Sequence, residues 1–180
     1  MKPEFAYRYA IYFTPALNSP WWSAGGHWLG RCAATGQRLI QPSIAGVSAQ
    51  QFQHCTSDPR RYGWHATLKA PFELRPDKNV AGLLQALHAL AQELPAFDMP
   101  PLQVSTDGGF LALRPAGSTD AIQTTAAACV TRLHDFAQPL SATELARRRK
   151  APLTPAQDHL LIQWGYPWVL DEFKFHLSLT

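Results

Sequence analysis

The sequence predicts an α+β fold, and three observations carry that prediction. Strand and helix signals follow one another as strand, helix, hairpin, helix, strand, not as repeated strand–helix units. Residues 79 to 94 keep Val80, Leu83, Leu84, Leu87, Leu90, Ala91 and Leu94 on one helical face. Aromatic-rich stretches at the start, middle and end of the chain carry the residue types of strands.

The elements follow in order. Phe5 to Thr14 reads as a strand, with Tyr7, Tyr9, Ile11 and Phe13 alternating against Ala6, Arg8, Ala10 and Tyr12. Ser19-Pro20 starts a helix, a hydroxyl cap followed by proline where no N–H is missed, and Gly30 ends it. Residues 31 to 47 show no period and read as loop with one short strand. Ser48 and Gln51 form a capping box for a helix through about Cys55, and Ser57-Asp58-Pro59 reads as a break. A strand is expected from about Arg61 to Phe72, followed by the helix from Asn79 to Leu94. Leu102 to Ser105 and Phe110 to Arg114 read as strands joined at an Asp107-Gly108-Gly109 turn. Asp120 caps a second long helix that buries Ile122, Ala126, Cys129, Val130, Leu133 and Phe136. Two short helices carry the capping boxes Ser141/Glu144 and Thr154/Gln157, and a last strand runs from about Trp168 to Thr180.

Composition bounds the function. The chain has 180 residues, 46% of them hydrophobic, which suits one domain or two small lobes with a proper core. A net charge of +3 suits a small anion or a short nucleic acid and is too weak for a duplex-binding surface. Cys32, Cys55 and Cys129 show no paired spacing and read as reduced thiols of a cytoplasmic protein. Met1-Lys2-Pro3-Glu4 leads directly into a strand pattern with no apolar leader. No run reaches the roughly 18 apolar residues of a membrane span, so no membrane partner is expected.

One pattern occurs twice. Tyr62-Gly63-Trp64-His65-Ala66-Thr67-Leu68-Lys69 returns in outline as Lys174-Phe175-His176-Leu177-Ser178-Leu179-Thr180. Side chains alternate along a strand, so His65 and Thr67 share one face while Trp64, Ala66 and Leu68 share the other. By the same rule His176 and Ser178 face one way, backed by Phe175, Leu177 and Leu179. Lys69 and Lys174 share the histidine faces by parity and are expected to add positive charge for substrate. The unit headed by the first motif has a helix and hairpin after it, and the second motif has neither.

Two His-x-[Ser/Thr]-hydrophobic tetrapeptides about a hundred residues apart resemble the 2H phosphoesterase superfamily. The flanking Arg8-Tyr9-Ala10-Ile11-Tyr12-Phe13, Arg61-Tyr62-Gly63, Gly165-Tyr166-Pro167 and Asp171-Glu172-Phe173 are similar to its phosphonate-operon-associated branch. The resemblance implies a bilobal, pseudo-twofold fold of antiparallel sheets with flanking helices, both motifs lying in one cleft. Members of that branch are longer after the second motif, so the second lobe is expected to be truncated. An exposed apolar face beside that motif, or a second copy of the chain covering it, is the expected consequence. The resemblance also implies metal-independent chemistry on cyclic or 2′-linked phosphodiesters. His65 and His176 would be the catalytic residues, and Thr67 and Ser178 would bind phosphate.

That chemistry needs a group that removes a proton from the attacking water and another that protonates the leaving oxygen. An imidazole serves either role near neutrality because its unperturbed pKa is about 6.5. The hydroxyls, about 6 to 7 Å along each strand, would hold the non-bridging oxygens. The expected substrate is a small nucleotide or sugar cyclic phosphate. RNA ends, joined by the reverse reaction, are a second class, and a non-catalytic nucleotide-binding module is a third. His27, His54, His88, His134 and His159 lack paired ligand spacing, so no metal and no cofactor are expected. No glycine-rich phosphate loop or nucleophile elbow occurs. Arg147-Arg148-Arg149-Lys150 reads as a solvated helix end, with a nucleic-acid contact as the less favoured reading. Trp21, Trp22 and Trp28 read as packing residues ahead of base-stacking ones.

Overall fold

The computed structural model describes residues 7–107 and 109–180. Phe5, Ala6, the Met1-Lys2-Pro3-Glu4 start and Gly108 at the hairpin tip lie outside the described residues. The elements are β1 (Arg8–Phe13), α1 (Pro20–Leu29), α2 (Ala49–Cys55), α3 (Ser57–Tyr62), β2 (Ala66–Glu73), α4 (Val80–Glu93), β3 (Leu102–Asp107), β4 (Phe110–Pro115), α5 (Asp120–Arg132), α6 (Ala142–Arg148), α7 (Pro155–Trp164) and β5 (Leu177–Ser178). β1 pairs with β2, and β3, β4 and β5 form a second sheet in that order. The fold is α+β.

The caps set most helix starts. Ser19, Asn79 and Thr154 each accept a backbone N–H of the first turn of α1, α4 and α7. Full capping boxes close the starts of α2 and α6, at Ser48/Gln51 and Ser141/Glu144. Each cap contributes about 1 kcal/mol. Gly30 and Gly165 end α1 and α7 in the left-handed conformation that suits glycine.

Several expectations are corrected. Ser57-Asp58-Pro59 does not break the chain but begins α3, because Pro59 sits in the first turn, where its missing N–H costs no helical bond. Arg61 and Tyr62 therefore end a helix, and the first-motif strand starts at Ala66. The second-motif strand shrinks to Leu177–Ser178, because a 3-10 turn occupies Leu170–Glu172 and Leu170 takes a positive φ of 52°. The hairpin serves the second motif, since β4 pairs antiparallel with β5, placing Ala112 opposite Ser178 and Leu113 opposite Leu177. The apolar residues of the second motif do not form the expected exposed face. Phe173, Phe175, Leu177 and Leu179 are at most 7% exposed within one chain.

The chain divides into two compact units. One comprises residues through Ile11, Thr67–Met99 and Ser118–Phe175. Its core joins Ile11 and Phe72 to Leu83 and Leu90 of α4 and to Cys129 and Leu133 at the end of α5. Each such large apolar side chain contributes about 1.5–3 kcal/mol by burial. The turn leading to the second motif is anchored here, by Gln157 Nε2–H donating to Glu172 (2.9 Å) and Gln123 Nε2–H donating to the Phe173 carbonyl (3.1 Å).

The other unit comprises Tyr12–Ala66, Pro100–Gly117 and His176–Thr180. Trp28 of α1 donates its indole N–H to the Leu179 carbonyl at 2.8 Å, and its ring meets Phe52 of α2 edge-on. Arg60 of α3 ties back to the Leu29 carbonyl at 2.7 Å. Gly25 of α1 lies against the Trp64 indole, so closely that an added Cβ would sit 2.1 Å from its Cγ.

That contact yields a paired prediction for chemical denaturation. Gly25→Ala forces a buried indole aside and lowers stability by about 1–3 kcal/mol. Gly82→Ala, where a Cβ would meet only ordinary contacts at 3.6 Å, raises it by about 0.5–1 kcal/mol through helix propensity. Equal effects at the two sites would contradict this packing.

Candidate functional site

The first motif is placed by a bend, not by a strand. Gly63 ends α3 with φ 82° and ψ −174°, a region open essentially to glycine. A Cβ there would also lie 2.4 Å from that of Ala33. From this bend the chain buries Trp64 on one side and turns His65 to the other, half-buried. His65 Nδ1 lies 2.8 Å from the Gly63 carbonyl oxygen. A carbonyl only accepts, so Nδ1 carries the hydrogen and neutral His65 presents Nε2 as its basic atom. Tyr12 lies against the imidazole with ring centroids 3.9 Å apart, and Tyr62 meets it edge-on.

The second motif is held by main-chain contacts. Leu179 N–H donates to the Leu111 carbonyl at 2.8 Å, and Thr180 Oγ1 accepts from Leu111 N–H at 2.9 Å. Buried Phe175, Leu177 and Leu179 alternate with half-buried His176, Ser178 and Thr180. Phe110 of β4 meets the His176 ring edge-on at 5.7 Å.

The two histidines belong to the same compact unit. They are near enough that charge on His176 disfavours charge on His65. Burial is the larger influence on His65, and together the two hold its pKa below the ordinary histidine value against the opposing Gly63 hydrogen bond. His65 is therefore neutral at pH 7. Tyr12 is pushed the other way: burial, then the Tyr62 hydroxyl, raise its pKa and keep it protonated.

The remaining expected site residues fall as follows. Ser178 is half-buried on β5, in the histidines' unit. Thr67 is half-buried on β2, two residues past His65, where the other unit begins. Lys174 is exposed. Lys69 is 4% exposed and donates from Nζ to the Val130 carbonyl of α5 at 3.1 Å. Strand parity did not anticipate that burial. The sequence also gave no notice of Tyr12 and Phe110 beside the histidines. Gly63 carried a signal in being a glycine immediately before a motif, where a positive φ sets the approach. Among the described residues, no group of three or more His, Cys, Asp or Glu is placed to hold a metal ion. No helix among them is long and apolar enough to cross a membrane.

Gly63→Ala follows as a prediction. Strain at its φ lowers stability by about 1–3 kcal/mol, and the displaced carbonyl releases His65 Nδ1. Denaturation and histidine ¹⁵N shifts read the two effects, and an unchanged His65 environment would contradict the assigned role of the bend.

Residues 67–180 match the family described as "Protein of unknown function (DUF1045)". Two curated relatives carry the name ribose 1,5-bisphosphate phosphokinase PhnN. The protein of Janthinobacterium sp. (strain Marseille) is 42% identical over 180 residues, 100% of this chain and 40% of its own length. The protein of Laribacter hongkongensis (strain HLHK9) is 34% identical over 173 residues, 96% of this chain and 40% of its own length. The chain thus spans well under half of each of these relatives. No solved structure matches. With 67–180 covering more than half of the chain, this protein belongs to the DUF1045 family.

Proposed function

We propose that this chain is a 2H-type phosphoesterase that opens a sugar cyclic phosphate with His65 as base and His176 as acid. The observation that carries the reading is the coupling of the two imidazoles within one unit, with His65 neutral and Nε2 as its basic atom. In the reaction, Nε2 of His65 takes a proton from water as the water oxygen bonds to phosphorus. The P–O bond on the opposite side breaks, and protonated His176 gives its proton to the departing sugar oxygen. A phosphomonoester leaves, and the two histidines exchange protonation states with solvent before the next turnover. The Ser178 hydroxyl would donate to the non-bridging oxygens.

The relatives' name supports a particular substrate. Ribose 1,5-bisphosphate is what that name says they phosphorylate. A cyclic diester that opens to ribose 1,5-bisphosphate bridges O1 and O2 of ribose 5-phosphate and breaks at O2. A 1,2-cyclic phosphate of ribose 5-phosphate therefore fits both the two-histidine chemistry and the substrate in the relatives' name. A kinase reading fits this stretch less well, because the sequence contains no Gly-Lys pair of the kind that a phosphate-cradling P-loop uses. The basic run is also a poor RNA contact. Arg149 is engaged with Asp158 (2.6 and 2.9 Å), and Arg148 lies over the Tyr166 ring.

Hydrolysis of this cyclic phosphate in EDTA, beside 2′,3′-cyclic nucleotides, tests the proposal. Turnover is expected with a bell-shaped pH profile. His65→Ala and His176→Ala should each lose about 10²–10⁴-fold, and Ser178→Ala about 10²-fold. Full activity in either histidine variant would sink the mechanism. Turnover of nucleotides alone would sink the substrate assignment. Ligand binding without any turnover would favour a binding module.

A further inference from the structure

A cavity of about 160 Å³ lies within the unit that contains α4 to α7, lined by residues of β2, α5 and α7 and by the loops that follow α5 and α7. Its polar lining is unusual for a site this enclosed. Lys69 is 96% withdrawn from solvent by exposure (4%) and makes one hydrogen bond, to the Val130 carbonyl at 3.1 Å, leaving two ammonium N–H directions. Trp164 Nε1 and His134 Nδ1 are buried with no hydrogen-bond partner among the described residues, and their rings meet edge-on at 4.9 Å. Gln138, Gln163 and Tyr166 complete the polar lining, while Phe72, Val130 and Val169 supply apolar wall.

A buried ammonium and buried, unpaired ring nitrogens each cost free energy unless something satisfies them. Burial pulls the Lys69 pKa down to about 8, opposed in part by Cys129, and at that value the group is still charged at pH 7. No carboxylate among the described residues lines the cavity. Lys69 and Trp164 only donate, so the missing partner is an acceptor. Its charge is negative, to balance the ammonium. The volume exceeds that of a bare oxyanion and is below the roughly 300–1,000 Å³ of drug-sized sites.

We infer that this cavity is a second binding site, for a small organic oxyanion held by Lys69 and Trp164 with a short apolar tail against Val130 and Val169. It is independent of the two-histidine reading and uses none of its groups.

Calorimetry at pH 7 with inorganic phosphate, methylphosphonate, acetate and butyrate, together with Trp fluorescence, tests this on the full chain. At least one probe should bind, and the phosphorus and carboxylate arms tell which oxyanion the site prefers. Lys69→Met should weaken binding by about 10- to 100-fold, as loss of a hydrogen bond to a charged group implies. The same variant should keep or raise Tm, since a buried charge has been removed. A purely structural lysine would instead lower it. Should Lys69→Met not fold, Trp164→Phe decides, with weakened binding expected. His65→Ala should bind normally. No binding of any probe up to about 10 mM, which is weaker than about −2.7 kcal/mol, or unchanged binding in Lys69→Met, would overturn the inference.

Discussion

The candidate site depends on one backbone constraint, the bend at Gly63. Its positive φ turns the chain out of α3, and its carbonyl fixes the His65 tautomer. The same bend delivers Trp64 into the core against Gly25, so packing and chemistry are set by adjacent residues on one short turn. Two glycines are thus committed, Gly63 by conformation and Gly25 by proximity. Gly63 also meets the His65 imidazole directly, through its carbonyl oxygen.

The second motif is organised differently. Its strand is two paired residues, Leu177 and Ser178, with His176 just before it, and is too short to hold itself. It borrows order from β4, through Leu111, and from α1, through the Trp28 indole N–H to Leu179. The hairpin and the tryptophan helix therefore support one histidine, and α3 supports the other. Charge then couples the two. Burial and the charge of His176 both favour the neutral form of His65.

What the sequence disclosed was mostly local. Ser48/Gln51, Ser141/Glu144 and Thr154/Gln157 are satisfied within one turn, so their helices could be read directly. The alternation of Phe175, Leu177 and Leu179 against His176 and Ser178 also survives, because parity needs only extended backbone. What stayed hidden depends on distant partners. Pro59 looks like a breaker by residue type, though its place in a helix's first turn makes it tolerable. Lys69 shares parity with His65, but α5 covers it, and no strand rule reports which element packs on a face. Tyr12 and Phe110 reach the histidines only through tertiary placement.

The most direct test of the coupled pair is histidine titration by ¹⁵N NMR in wild type and in His176→Ala. His65 should show the Nδ1–H tautomer and titrate below the ordinary value, and removing His176 should raise its pKa by removing a like charge. Linkage gives a matching sign in stability. A depressed histidine pKa means the unfolded state binds more protons, so stability is lost as pH falls below about 6.5. An Nε2–H tautomer, or a His65 titration indifferent to His176, would contradict the account at its base.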